Sequence, residues 1–340
     1  VYWAAGAYLL FSVAMIANAV LIHPELRDEE YGRRVESLRK RVAENPGRPL
    51  VLVIGSSRAA MGICPQAWED ARPGTPHDPL LFNMSRVGAG PLFNLMTLRR
   101  LYTDGIRPHG VLLEYWPPLL DEEGPFREVA RISPAKLSAS DRDFIRGFLP
   151  QADRFERQML ATHVNPFYAQ RTLRMREFVP TWLPRTQRVD AAVHPLDRWG
   201  WLPGQDRPAL MWESRDAQLM RCEKIYRPHL AALHLDDGAD QATRAAIAVA
   251  REQGSQVGLI YLPESTEFRA WYTPDSEQLG ATYLATVRRE LSVPLINART
   301  WLPDESLADG FHATRTGAQE LSRRFGAAIQ EELWFQNRAK

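Results

Sequence analysis

The chain has 340 residues, 45% of them apolar and 24% charged, with a formal net charge of +1. These values describe a globular chain with core enough for one large domain or two modest ones, and they carry no electrostatic footprint of a nucleic-acid partner. Cys64 and Cys222 are too few for a disulfide framework or a metal site of their own, and the histidines show no metal-ligand spacing, so neither metal nor cofactor is expected.

Residues 1–22, "VYWAAGAYLLFSVAMIANAVLI", contain no charge. About 20 mostly apolar residues suffice to cross a bilayer as a helix, and Tyr2 and Trp3 suit an interfacial aromatic belt. The segment is expected to be a transmembrane anchor in the lipid bilayer. Ala17-Asn18-Ala19 leaves a cleaved signal peptide as the alternative. Residues 23–48 are dense in both charges, with Val35, Leu38 and Val42 forming a narrow apolar stripe at helical spacing, and Asn45-Pro46-Gly47 ends the pattern. This reads as a charged helical stalk.

From Pro49 onward strands and helices alternate. Short apolar runs at 50–55, 80–84, 110–116, 256–262 and 293–297 predict buried strands. Helical patterns cover 91–104, 239–253, 275–291 and roughly 316–333, the last opening on a Thr316-x-x-Gln319 capping box. Five such strands separated by helices predict an α/β fold, a doubly wound five-stranded parallel sheet built from 49–120 and 238–340. Residues 121–237, rich in Arg, Pro and Trp, break the rhythm and are expected to form a mostly helical and irregular insertion or lid.

In such a sheet, ligands bind beyond the carboxyl ends of the strands. "LVLVIGSSR" puts Gly55, Ser56, Ser57 and Arg58 at one of those ends. A nucleophilic serine needs a base, a group to orient that base, and donors for the oxyanion. "LADGFHATRTGAQ" supplies Asp309 and His312, three residues apart, just before the last helix. Each has a plainer reading: Ser57 as a turn residue, Asp309 as an Asx turn, His312 as a histidine at a helix start. Arg58 and Arg86 each follow a strand and would bind an anionic substrate or form surface ion pairs, while Glu114 and Glu264 are expected as a polar rim. "WGW" (199–201) and Trp271-Tyr272 fit either sugar-stacking platforms or ordinary packing.

Strand-Gly-x-Ser near the start, with Asp-x-x-His before the final helix, resembles the bipartite pattern of the SGNH (GDSL-like) hydrolase superfamily. "GSSR" is similar to its membrane-anchored cell-envelope branch, which includes alginate O-acetylation proteins and the D-alanyl transfer protein of teichoic acids. The resemblance covers 49–118 and 256–335 and implies an SGNH/flavodoxin-like sheet. It makes Ser57 the nucleophile, His312 the base and Asp309 its partner, and Ser56 matches a non-nucleophilic position. The oxyanion hole would use the Ser57 amide and Gly88 of "FNMSRVGAGP", with Gly90 as the alternative donor. The family's Gly-x-Asn-Asp block has no counterpart in "LLEYWPPLL" (112–120), which lacks the asparagine. The resemblance implies a serine-dependent acylesterase or O-acyltransferase on the extracytoplasmic face of the cytoplasmic membrane. A cell-envelope glycan would be its substrate and a membrane-bound O-acyltransferase a possible partner. The alternative is a non-catalytic accessory on the same scaffold.

Overall fold

The computed structural model describes residues 2–17, 28–71, 78–121, 196–203 and 214–329, with isolated residues and short pieces within 128–183. The chain divides into two units, Val1–Glu36 with Arg131–Pro195, and Ser37–Ala130 with Leu196–Lys340.

In the first unit, helix α1 covers Tyr2–Ala17, helix α2 (Glu29–Glu44) begins, and helix α6 covers Ala139–Ile145. Ser138 precedes α6 and bonds through its hydroxyl to Asp141 Oδ2 at 2.7 Å, which satisfies polar groups at the helix start. Among the described residues, no helix is long and apolar enough to cross a membrane. Residues 18–22 of the expected anchor and 23–27 of the expected stalk lie outside the described residues, as does most of the 121–237 insertion.

The second unit holds the sheet. Its strands are β1 (Leu50–Ile54), β2 (Leu80–Asn83), β3 (Gly110–Tyr115), β4 (Gln256–Tyr261) and β5 (Leu295–Asn297). All pair in parallel, in the order β2-β1-β3-β4-β5. The expected five strands are therefore present. β5 is shorter than the predicted 293–297 because Pro294 has no N–H to donate; only its carbonyl joins the sheet, accepting from Leu259 N.

Helices α3 (Ser57–Gly62), α4 (Pro65–Asp70), α5 (Pro91–Thr103), α7 (Arg215–Ala231), α8 (Asp237–Glu252), α9 (Thr266–Arg269), α10 (Pro274–Leu291) and α11 (Arg315–Ile329) complete this unit. Alternate strand residues point to opposite faces. Val51, Val53, Leu81, Leu112, Ile260 and Ile296 join Trp68 of α4 and Leu321 and Phe325 of α11 in one core layer. Across the sheet, Tyr115 and Leu259 meet Thr243 of α8 and Tyr283 and Val287 of α10 around a small cavity. Both faces are covered, which is why these strands read as unbroken apolar runs.

Helix starts follow their caps. Asp236 caps α8 through Gly238 N, and Thr273 caps α10 with Pro274 in its first turn. The expected Thr316 capping box is corrected: Thr314 Oγ1 accepts from Gly317 N and α11 starts at Arg315, so the cap lies two residues earlier.

"WGW" is packing and not a sugar platform. Trp199 and Trp201 are buried, their indole N–H groups donating to Gln66 Oε1 and the Met61 carbonyl. Trp199 O accepts from Asn83 N at the end of β2, and Trp271 is buried among aromatic rings beside Phe268. Gly200 lies at φ +76°, where an added Cβ would stand 2.1 Å from the Asn83 carbonyl oxygen. Gly200→Ala is expected to cost about 3 kcal/mol or more. Denaturant unfolding measures it, and a loss below about 1 kcal/mol would contradict this contact.

Candidate active site

The site forms at the carboxyl ends of β1, β2 and β3, with a turn from the chain just before α11. β1 ends at Ile54, and Gly55 follows with no side chain. A Cβ there would lie 2.5 Å from Glu114 Oε2 and 2.9 Å from Ala59 Cβ, so glycine is what lets the turn pass so close to β3. Ser56 is the N-cap of α3: it is extended, buried, and spends its hydroxyl accepting from Arg58 N at 3.1 Å. Ser57, the first helical residue, is only partly buried, and its Oγ lies 2.7 Å from His312 Nε2. Of the two serines, the turn presents the second.

The other half of the constellation is a tight turn. Leu307 and Ala313 bridge in antiparallel fashion, and Ala308 N donates to the His312 carbonyl. Gly310 at φ +97° makes the bend, and its carbonyl accepts from Ser265 N. Asp309 Oδ1 accepts from the backbone N–H of His312 (2.9 Å) and Phe311 (3.3 Å), while Oδ2 lies 2.7 Å from His312 Nδ1. With Nδ1–H donated to a carboxylate, Nε2 is the nitrogen free to accept the Ser57 proton. The Asx turn foreseen as the plain reading of Asp309 exists, and the same side chain also orients the imidazole.

Burial alone would raise the Asp309 pKa. The charge of His312 and the hydrogen bonds from His312 and Phe311 outweigh burial, and the carboxyl is held below its ordinary value. A depressed folded pKa stabilises fully above the unfolded aspartate pKa of about 3.9. That contribution disappears as pH falls through the lower folded value. The stability gap between the wild type and Asp309→Asn is therefore expected to narrow as pH falls below about 4. Equilibrium unfolding across that range checks this; a gap independent of pH would contradict it.

Among the described residues, neither the Ser57 nor the Gly88 backbone N–H donates to an acceptor. Gly88 sits at φ +76° as the third residue of a turn closed by Ala89 N to Arg86 O, the geometry a type II turn requires. Gly90, the alternative donor, is already engaged: its N–H donates to Glu128 Oε1 at 2.7 Å.

Two expectations are corrected here. Arg58 does not face substrate. Its side chain is fully buried, donates to the Leu262 and Pro263 carbonyls at 2.8 and 3.0 Å, and lies over the Trp116 ring. It follows Ser57 on α3, whose other buried residues are Ala59, Ala60 and Gly62, and it lies on that buried side. Glu114 and Glu264 are not a rim either. Glu264 is fully buried, accepting from Trp116 Nε1 (2.8 Å), Arg299 Nε (2.6 Å) and Tyr272 OH (3.2 Å). Glu114 lies under the nucleophile turn and accepts from Ser56 N at 2.6 Å. Burial raises its pKa, opposed by Arg58, Ser56 and His312. Arg86 lies in the loop after β2, its N–H on the Gly55 carbonyl and its guanidinium 5.6 Å from the Phe93 ring centroid. The signal for Glu114 was present in "GVLLEYW": one charge inside a strand otherwise apolar on both faces.

Among the described residues, no group of three or more His, Cys, Asp or Glu is placed to hold a metal ion. Fold and site together define a class: a five-stranded parallel α/β protein with a Ser57–His312–Asp309 hydrogen-bonded constellation at the carboxyl ends of its strands. No family model matches this chain, and no curated protein matches it significantly.

Proposed function

We propose that the protein is a serine-dependent acylesterase or O-acyltransferase of SGNH type. The observation that carries this is the pair of 2.7 Å contacts linking Ser57 Oγ, His312 and Asp309 in series. Ser57 Oγ attacks the ester carbonyl as His312 Nε2 takes its proton, and Asp309 steadies the imidazolium. The Ser57 and Gly88 N–H groups receive the developing oxyanion. Collapse expels the alcohol, which takes the proton from His312 and leaves an acyl-Ser57 ester. Water or a sugar hydroxyl then attacks that ester, completing hydrolysis or transfer.

The apolar 1–22 segment is proposed as an anchor that keeps the domain on the extracytoplasmic face, beside a cell-envelope glycan and a membrane-bound O-acyltransferase that supplies acyl groups. Tyr2, Trp3, Leu9 and Leu10 of α1 are exposed, which suits a helix meant for lipid. One observation favours the second reading, a non-catalytic accessory: residues 112–120 hold no asparagine to serve as the family's side-chain oxyanion donor, and the indole N–H of Trp116, just after β3, is committed to Glu264.

A fluorophosphonate probe tests the proposal. Ser57 Oγ bonds to phosphorus as the P–F bond breaks, and peptide mapping reads the adduct. Stoichiometric modification of Ser57 is expected. Folded protein that stays unmodified would favour the accessory.

A further inference from the structure

The nucleophile turn is held from below by a charged pair that the acyl chemistry does not use. Glu114, the fifth residue of β3, has no side-chain exposure, and its Oε2 accepts the Ser56 N–H at 2.6 Å. Arg58, equally buried, lies 3.6 Å from Glu114 Oε1 and reaches the Leu262 and Pro263 carbonyls beyond β4. Ser56 is thereby gripped twice: its N–H by Glu114, its hydroxyl by the Arg58 N–H. The next residue is Ser57, whose hydroxyl meets His312. Gly55 completes the arrangement, since any Cβ there would strike Glu114.

A pair of this kind is a weak device for stability, because replacing both partners by apolar residues of similar volume is often neutral or stabilising. Among the described residues, Arg58 Nε and Nη1 and Glu114 Oε1 have no hydrogen-bond partner, so the pair is incompletely satisfied. What Glu114 does supply is a directed acceptor for one backbone N–H, immediately before the nucleophile.

We propose that Glu114 is a positioning residue for Ser57: through the Ser56 N–H it sets the backbone turn that aims the Ser57 hydroxyl at His312, with Arg58 as its buried counter-ion. The inference rests on Ser57 being the nucleophile. Misplacing a reacting group by about 1 Å costs about 10²-fold in rate, so a turn without this restraint reacts slowly even when folded.

The test compares two double variants, both free of the buried charges. Arg58→Met with Glu114→Gln keeps an acceptor for the Ser56 N–H; Arg58→Met with Glu114→Leu does not. Fluorophosphonate inactivation is resolved into probe affinity and the rate of the covalent step, beside the thermal midpoint. The covalent step is expected to be at least about tenfold slower in the Leu variant than in the Gln variant, with equal probe affinity and similar midpoints. Equal covalent rates in the two folded variants would overturn the positioning role while leaving Ser57 as nucleophile. A wild type that forms no Ser57 adduct would overturn both. Should the Leu variant not fold, Gly55→Ala carries the test, because its Cβ displaces Glu114; a covalent step as fast as wild type then overturns the proposal.

Discussion

Ser57→Ala is expected to abolish fluorophosphonate incorporation and to lower ester turnover by about 10⁴- to 10⁶-fold while the protein stays folded. The size follows from what is removed. Among the described residues, Ser57 Oγ is the hydroxyl held at 2.7 Å from His312 Nε2, and the proton transfer goes with it. The cost to folding is small, because Ser57 is partly exposed and its hydroxyl caps nothing. Ser56→Ala makes the informative contrast. Its hydroxyl caps Arg58 N, so about 1 kcal/mol of stability goes while the adduct still forms on Ser57. An adduct that survives Ser57→Ala and vanishes with Ser56→Ala would reverse the assignment.

Asp309→Asn is expected to cost about 10⁴-fold at neutral pH, nearly as much as losing the nucleophile. Asp309 Oδ2 accepts the Nδ1 proton of His312, which leaves Nε2 to receive the Ser57 proton. An asparagine amide turned toward Nδ1 donates instead, and the ring proton moves to Nε2, where it faces Ser57 as a donor. The base is then in the wrong tautomer with its geometry intact. His312→Ala is expected to fall at least as far. Ester turnover measured with purified variants checks both, and an Asp309→Asn variant within about tenfold of wild type would remove Asp309 from the orienting role.

The parallel sheet was legible because its strands are short and largely apolar on both faces, and because helical patterns at 91–104, 239–253 and 275–291 separate them. Caps are local chemistry, yet the expected Thr316 gave way to Thr314, whose hydroxyl accepts from Gly317 N. The chemistry of "GSS" was legible as a nucleophile at Ser57, with Ser56 at a non-nucleophilic position by the resemblance. "DGFH" was legible as a carboxylate within reach of an imidazole. Environment was not. Arg58, Glu114 and Glu264 carry the residue types of a solvated rim, and only the convergence of β1, β3 and the segment after β4 puts them inside. Trp199 and Trp201 likewise gain their meaning from docking against the end of β2 and α3.

The sequence by itself determined the five strands, helices α5, α8, α10 and α11 and the parallel α/β class, because hydrophobic period and turn chemistry are properties of neighbouring residues. It also named Ser57, Asp309 and His312 as candidates. Only the tertiary structure decided that Ser57, and not Ser56, meets His312, that Gly90 is engaged while Gly88 is open, and that Glu114 grips the turn from beneath. Those facts depend on contacts between residues as far apart as 57 and 312, made where β1, β2 and β3 end together, and no local pattern encodes which side of a turn will face them.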